Sequence, residues 1–254
     1  MSAAEIEVRN LSKRYPLPLF SLRRKGGPAS GRTALSDLSF DVAGGEVVAI
    51  IGPNGAGKST LLRILCGLLL PSEGHARVAQ LDVVRDRPHS RRAVGVALSD
   101  ERGLSPRLTV RQNLEFFAAL YSLRGPDVAG RIVELADRFE ATPLLDRHVR
   151  TLSSGERARA VLMRMLLHRP KVLLVDELTR SLDPGAAVRL RQRLIADVAG
   201  RGAAVLFASH DLREVQSIAS RVLLLSHGRA AALGSYAEVE PVAQSVFGET
   251  SKEA

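Results

Sequence analysis

The 254-residue chain has one cysteine, no tryptophan, three tyrosines and only five lysines. A single thiol, Cys66, excludes an internal disulfide and a thiolate metal cage. Aromatic residues make up 4% of the chain, too few for an interleaved stacking surface on single-stranded nucleic acid. No apolar run approaches the roughly 18 residues of a membrane-spanning helix. The longest, over residues 61–70, is interrupted by Arg63. The opening MSAAEIEVRN has neither the basic head nor the apolar core of a secretory leader. Together these absences point to a cytoplasmic location.

What is present is ordinary for a folded protein: 45% hydrophobic and 25% charged residues, enough to build a core. The charge is not balanced. Five of the 36 basic residues are lysine, so 31 are arginine, against 27 acids, for a net +9. A positive surface favours anionic partners, either nucleic acid or the anionic face of a membrane.

Strand and helix signals alternate. Residues 5–10 alternate in polarity and read as an edge strand, and 38–42 as a second strand. Residues 46–51 (EVVAII) are nearly all apolar, as are 172–175 and 204–208, which suits strands buried on both faces of a parallel sheet. A further strand is expected at 221–226. Helices are expected at 58–69, 110–123, 128–139, 155–167, 185–199 and 212–219 from apolar spacing. Residues 16–31, rich in Pro, Gly and Arg, read as an exposed loop.

Four stretches carry chemistry. Gly52-Pro53-Asn54-Gly55-Ala56-Gly57-Lys58-Ser59-Thr60 follows a buried strand and opens a helix, the context a G-x-x-x-x-G-K-[ST] phosphate cradle requires. Its glycines let backbone N–H groups converge on phosphates, Lys58 adds a point charge, and Ser59 offers a hydroxyl to Mg²⁺. Val172-Leu173-Leu174-Val175-Asp176-Glu177 ends an apolar strand in two acids at the ligand edge of an α/β sheet. Asp176 suits Mg²⁺, and Glu177 can orient or deprotonate water. Leu152-Ser153-Ser154-Gly155-Glu156 is a polar turn opening a helix, and Ser209-His210-Asp211 follows another buried strand.

Along the chain the cradle is followed by Leu152–Glu156, then Val172–Glu177, Ser181-Leu182-Asp183 and Ser209-His210-Asp211, and in that order the motifs resemble those of the nucleotide-binding ATPase subunits of ABC transporters. The resemblance covers roughly residues 5–234. It implies an α/β P-loop NTPase fold with a mostly parallel central sheet, an antiparallel N-terminal β part and a helical subdomain inserted at about 98–165. Residues 235–254 are then a short C-terminal tail. The resemblance further implies ATP with Mg²⁺ as ligands and two such subunits, identical or not, closing head to tail. It places Gly52, Asn54, Gly55, Gly57, Lys58, Ser59 and Thr60 on the phosphates and Tyr15 against adenine. It assigns Ser153 and Gly155 to the γ-phosphate held by the partner subunit, and His210 to sensing the γ-phosphate.

The sequence departs from the family pattern in places. Ser154 stands where the signature LSGGQ has glycine, Glu156 where it has glutamine, and Leu178 where a proline usually follows Walker B. No glutamine occurs in 94–102, where the family places one near Mg²⁺. Spacing from Gly95 puts Ser99 there, and spacing from Leu108-Thr109 puts Asp100 there; the charge of Asp100 suits a metal-bound water better. The stretch 99–117 resembles subunits that pair with ABC-2 type membrane proteins. That implies export of a polysaccharide, lipid or drug by a peripheral subunit at the cytoplasmic face of the cell membrane, with no nucleic acid partner. The competing reading is a soluble ABC-type ATPase acting on nucleic acid or a macromolecular assembly.

Overall fold

A computed structural model describes residues 4–16, 31–98, 103–176, 192, 194, 195 and 200–250. Its strands are β1 (Ala4–Tyr15), β2 (Arg32–Ala43), β3 (Val47–Ile51), β4 (Glu73–Val78), β5 (Leu81–Asp82), β6 (Val94–Ala97), β7 (Val172–Asp176), β8 (Ala204–Ala208), β9 (Arg221–Ser226) and β10 (Arg229–Gly234). They form two sheets. One is antiparallel, in the order β2-β1-β4-β5. The other runs β10-β9-β3-β8-β7-β6, parallel except where β10 folds back on β9.

The apolar strand β3 sits at the centre of the second sheet because every one of its residues is buried. Val48 and Ile50 pack towards Ile6, Val8 and Leu38 of the antiparallel sheet and towards Leu61 and Leu65. Ala49 and Ile51 face the opposite layer, with Phe207, Leu162 and Leu166. Helix α1 (Lys58–Leu65) lies between the sheets, against β2, β4 and β7. The remaining helices are α2 (Arg87–Arg92), α3 (Val110–Leu120), α4 (Pro126–Arg138), α5 (Ser154–Leu166), α6 (Leu212–Ile218) and α7 (Tyr236–Thr250). α3, α4 and α5 pack on one another, and α5 also rests on β6.

The α/β P-loop architecture expected from the sequence is the one observed, with several local differences. β1 is not an edge strand: it pairs with β2 on one side and β4 on the other. α1 stops at Leu65 rather than 69, because Gly67 takes φ +71° and the Gly67 and Leu68 N–H groups close onto Ile64 O and Arg63 O. That is the glycine-terminated helix stop known as the Schellman motif. The strand β6 leaves no mark in the sequence pattern because four residues, one of them Gly95, give almost no periodicity. The supposed tail contains α7, which buries Val239 and Ala243 against β9 and β10. Its apolar positions 239, 243, 246 and 247 follow helical spacing, but Pro241 masks the pattern. The loop expected at 16–31 leaves and re-enters at the paired residues Tyr15 and Arg32. Residues 17–30, and most of the expected helix at 185–199, lie outside the described residues.

Beyond the C-terminal end of α5, His168 fastens the helical layer to the sheet. Its ring stacks on Tyr121 at 3.8 Å between centroids, and its Nε2 lies 3.1 Å from Val94 O in β6. Burial, with smaller contributions from the nearby Arg164 and Arg131 charges, lowers its pKa to about 4. In the unfolded chain it titrates near the ordinary value of about 6.5. Between these pH values only the unfolded chain takes up the proton. This contribution is therefore complete above pH 6.5 and is lost as pH falls towards 4. It amounts to at most about 3 kcal/mol. Urea unfolding of the wild type and His168→Gln at pH 7.5 and 4.5 checks this. The wild type should lose more stability than the variant on acidification, whereas equal losses would contradict the neutral buried imidazole.

Candidate functional site

The phosphate loop leaves β3 at Gly52 and enters α1 at Lys58, and two of its glycines are required by close backbone approach. A Cβ on Gly52 (φ +150°) would lie 2.1 Å from Leu225 O of β9. One on Gly57 (φ +109°) would lie 2.5 Å from Ala34 O and 2.7 Å from the Leu35 side chain of β2. The loop is thus squeezed between strands of both sheets, and only hydrogen side chains fit at these two places. Gly57 caps α1 with no side-chain hydrogen bond, and no acid occupies the first turn. The first N–H groups of a helix have no intrahelical partner, so this end offers donors and a positive dipole to an anion.

Lys58 is 8% exposed, and its Nζ donates to Gly52 O at 2.6 Å and Pro53 O at 3.0 Å. These carbonyl oxygens occupy the ammonium where phosphate oxygens would take it. The Ser59 hydroxyl donates to Asp176 Oδ2 at 2.9 Å, joining α1 to the end of β7. Asp176 is 4% exposed. A buried carboxylate and a hydroxyl set side by side next to a phosphate cradle are a suitable oxygen pair for a hard cation such as Mg²⁺.

A cavity of about 620 Å³ opens over the loop. Asn54, Gly55, Gly57, Lys58, Ser59 and Thr60 line it together with Asp176 from β7, His210 after β8 and Tyr15 at the end of β1. The Tyr15 hydroxyl is 3.5 Å from Thr60 Oγ1, and the Lys13 ammonium sits 5.4 Å from the centre of its ring. His210 is exposed, but the turn before it is fixed. Ser209 N–H donates to Ile50 O of β3, and its buried hydroxyl donates to Glu214. Asp211 then caps α6 by accepting from the N–H groups of Arg213 and Glu214. His210 is thereby held beside the strand that feeds the phosphate loop.

Some sequence-derived assignments fall elsewhere. Gly52 is buried behind the loop and does not line the cavity; it contributes a carbonyl to Lys58 and room for β9. Ser153 and Gly155, which the resemblance assigns to a nucleotide held by a partner subunit, do not line this cavity. Ser153 caps α5 by accepting from Glu156 N–H, while the Glu156 carboxylate accepts from Ser153 N–H at 2.8 Å and from Arg147 at 2.6 Å. These bonds hold the Glu156 pKa below the ordinary carboxylate value. Glutamate in place of the family's glutamine therefore completes the same cap and adds an ion pair with Arg147. Glu177, Asp100, Ser99 and the stretch 181–183 lie outside the described residues.

Two cations on the cavity wall were not foreseen: Arg32 and Arg63. Arg63 had a legible signal, since it stands four residues after Ser59 on the same helix and so shares its face. Arg32 had none. It reaches the site because β2 pairs it with Tyr15, and its guanidinium comes within 3.1 Å of where a Gly55 Cβ would be.

Comparison with known proteins agrees with this geometry. The family model described as ABC transporter matches residues 35–180. The chain is 35% identical over 195 residues to the ABC transporter ATP-binding protein NatA of Bacillus subtilis, covering 77% of this chain and 79% of that one. It is 32% identical over 236 residues to the trehalose import ATP-binding protein SugC of Mycobacterium tuberculosis, covering 93% of this chain but 56% of SugC. Among solved structures, cbiO1 of Clostridium perfringens, described as part of the ABC transporter complex cbiONQ, superposes with a TM-score of 0.79 at 26% identity. That match covers 96% of this chain and 92% of cbiO1. With the phosphate cradle, the strand-end aspartate and the capped signature turn in family order, the chain belongs to the ABC transporter family, as an ATP-binding domain.

Proposed function

We propose that this chain binds and hydrolyses ATP to drive transport through a separate membrane-spanning protein, working as one of a pair of nucleotide-binding subunits. The observation that carries this reading is the cavity in which Lys58, Ser59, Asp176, His210 and Tyr15 converge from separate elements. The exposed position of Ser153, away from that cavity, supports pairing: a second subunit has to bring such a turn to a nucleotide held by Lys58. Its helix N-terminus would then add a second positive dipole end to the γ-phosphate. The proposed place of work is the cytoplasmic membrane face, against the membrane partner. Among the described residues no helix is long and apolar enough to cross a membrane.

The relatives do not support export of a polysaccharide, lipid or drug through an ABC-2 type protein, which the sequence resemblance implied. SugC is named for import, so the proposal is confined to ATP-driven transport with no direction assigned.

In this reading Ser59 and Asp176 hold Mg²⁺, which when bound screens the charge of the phosphate oxygens. The 2.9 Å bond between them already sets both oxygens together. Lys58 gives up its loop carbonyls to phosphate, Tyr15 lies against the base, and His210 hydrogen-bonds the terminal phosphate. Glu177, which follows Asp176 directly, takes the proton from the attacking water. Asp100 is the proposed substitute for the family's missing glutamine.

Lys58→Ala should weaken ATP binding roughly 10–100-fold, the value of hydrogen bonds to a charged group. Glu177→Gln should leave binding intact and slow hydrolysis by about 10²–10⁴-fold, as expected on losing a general base. Fluorescent-nucleotide titration and single-turnover hydrolysis separate the two; a Glu177→Gln protein that turns over normally would remove the base assignment. Stimulation of ATPase activity by nucleic acid, with none by a co-purified membrane protein, would favour the soluble-ATPase reading instead.

The Arg32 side chain makes no hydrogen bond or ion pair among the described residues and lines the phosphate cavity. Arg32→Ala should lower ATP affinity about two- to fivefold, as befits an exposed charge, and the loss should shrink in high salt. Adenosine affinity, measured in parallel, should not change; an equal loss for adenosine would show that Arg32 acts on the pocket's shape rather than on phosphate.

A further inference from the structure

The turn between β8 and α6 is held by more than a helix cap needs. Asp211 caps α6 with its own carboxylate, which accepts from the N–H groups of Arg213 at 3.0 Å and Glu214 at 3.3 Å. That is a complete N-cap. The side chain of Glu214, at the third helical position, is then surplus to the cap, yet the residue is only 8% exposed. An exposed acid in the first turn would serve the helix dipole equally, without the desolvation that a buried carboxylate costs.

What the carboxylate holds is the hydroxyl of Ser209, which is buried too. Two other helices show the ordinary capping box, in which the third residue returns directly to the capping residue. Gln112 accepts from Thr109 N–H at the start of α3, and Glu156 from Ser153 N–H at the start of α5. In α6 the N–H of the capping residue, Asp211, donates instead to Ser209 Oγ at 3.1 Å, and the Ser209 hydroxyl donates onward to Glu214. A hydroxyl is thus inserted into the box, and it comes from the residue on the far side of His210.

We propose that Glu214, acting through Ser209, is a positioning residue for His210 and sets the point from which the imidazole meets the terminal phosphate. The inference rests on the reading of His210 as the residue that hydrogen-bonds that phosphate. Neither Ser209 nor Glu214 lines the nucleotide cavity, so their effect passes through the backbone on both sides of His210. Ser209 is held at three points: its N–H on Ile50 O at 3.3 Å, its hydroxyl proton on Glu214, and its oxygen under Asp211 N–H. An ionised carboxylate only accepts, so the Ser209 proton has one direction and its oxygen is left for Asp211. The charge on the acceptor strengthens the bond. Ile50 stands two residues before Gly52, where the phosphate loop leaves β3. The relay therefore fixes His210 relative to the strand that carries the loop.

The test compares Ser209→Ala, Glu214→Ala and Glu214→Gln in the full chain, each alone and combined with His210→Ala. Single-turnover hydrolysis and fluorescent-nucleotide titration are read together, with urea unfolding followed for every variant. Ser209→Ala and Glu214→Ala should slow hydrolysis roughly ten- to hundredfold, the scale on which a misplaced group acts, with nucleotide affinity little changed. Glu214→Gln, whose amide oxygen still accepts from Ser209, should recover most of the rate. In the His210→Ala background both alanine changes should cost nothing further, because the group they position is gone. The His210 ring signal in proton NMR, assigned by its absence in His210→Ala, should shift on addition of AMP-PNP and Mg²⁺ in the wild type and Glu214→Gln, but not in the two alanine variants. If an alanine variant fails to fold, Glu214→Asp, which keeps the charge and shortens the reach, should slow hydrolysis in the same His210-dependent way. Equal losses with and without His210 would show that the pair only supports the fold, and would overturn the inference while leaving the role of His210 standing. Normal hydrolysis by His210→Ala, with a wild-type ring signal that ignores the nucleotide, would overturn that role and the inference with it.

Discussion

The hydrogen bond from Ser59 to Asp176 joins residues 117 positions apart and depends on nearly everything else in the fold. It forms only if α1 starts one residue after Gly57 and β7 ends at the same level as β3. The first condition rests on the loop glycines, which let the chain turn against Leu225 O and Ala34 O without a Cβ in the way. The second rests on the parallel sheet, where β8 pairs with both β3 and β7 and carries one register across to the other. A slip of one residue in either pair would turn Asp176 to the opposite face and into the core. The carboxylate's place is therefore a consequence of strand pairing, and the pairing of fully buried strands is driven by apolar burial on both faces.

The same centre organises the rest of the cavity. β3 supplies Ile50 O to Ser209, which fixes the turn that carries His210. β1 and β2 close the opposite wall and bring Tyr15 and Arg32 to one point. The antiparallel and parallel sheets thus each contribute one side of the site, with α1 between them. The loop itself is held by backbone contacts, which keep its N–H groups organised around the buried Lys58.

The helical layer shares an apolar core with the sheet, in which Leu162 and Leu166 of α5 meet Ala49, Ile51 and Phe207, and two polar contacts are added at β6. Arg164 donates to Val96 O, and His168 meets Val94 O. Both contacts end on β6, a strand of four residues at the sheet's edge. The signature turn at the far end of α5 is capped by its own Ser153–Glu156 pair and by Arg147, and so keeps its form without help from the nucleotide cavity.

Much of this was readable from residue order. The phosphate cradle, the acid-ended strand and the capped turn have local signatures, because glycine, a capping serine and a run of β-branched residues act on the backbone within a few positions. Buried strands β3, β7 and β8 were legible for the same reason, as were α3, α4 and α5. The pairing of β1 inside its sheet was not, since it depends on strands far along the chain, and neither were β6, too short to show a period, and the helix over 236–250, interrupted by Pro241. The sequence by itself determined which residues could bind phosphate and metal, through backbone permissiveness and side-chain chemistry. Only the tertiary structure decided that Arg32 and Arg63 line the same cavity and that Gly52 stands behind the loop. Those facts follow from strand register and packing between sheets, which couple residues over distances that no local pattern records.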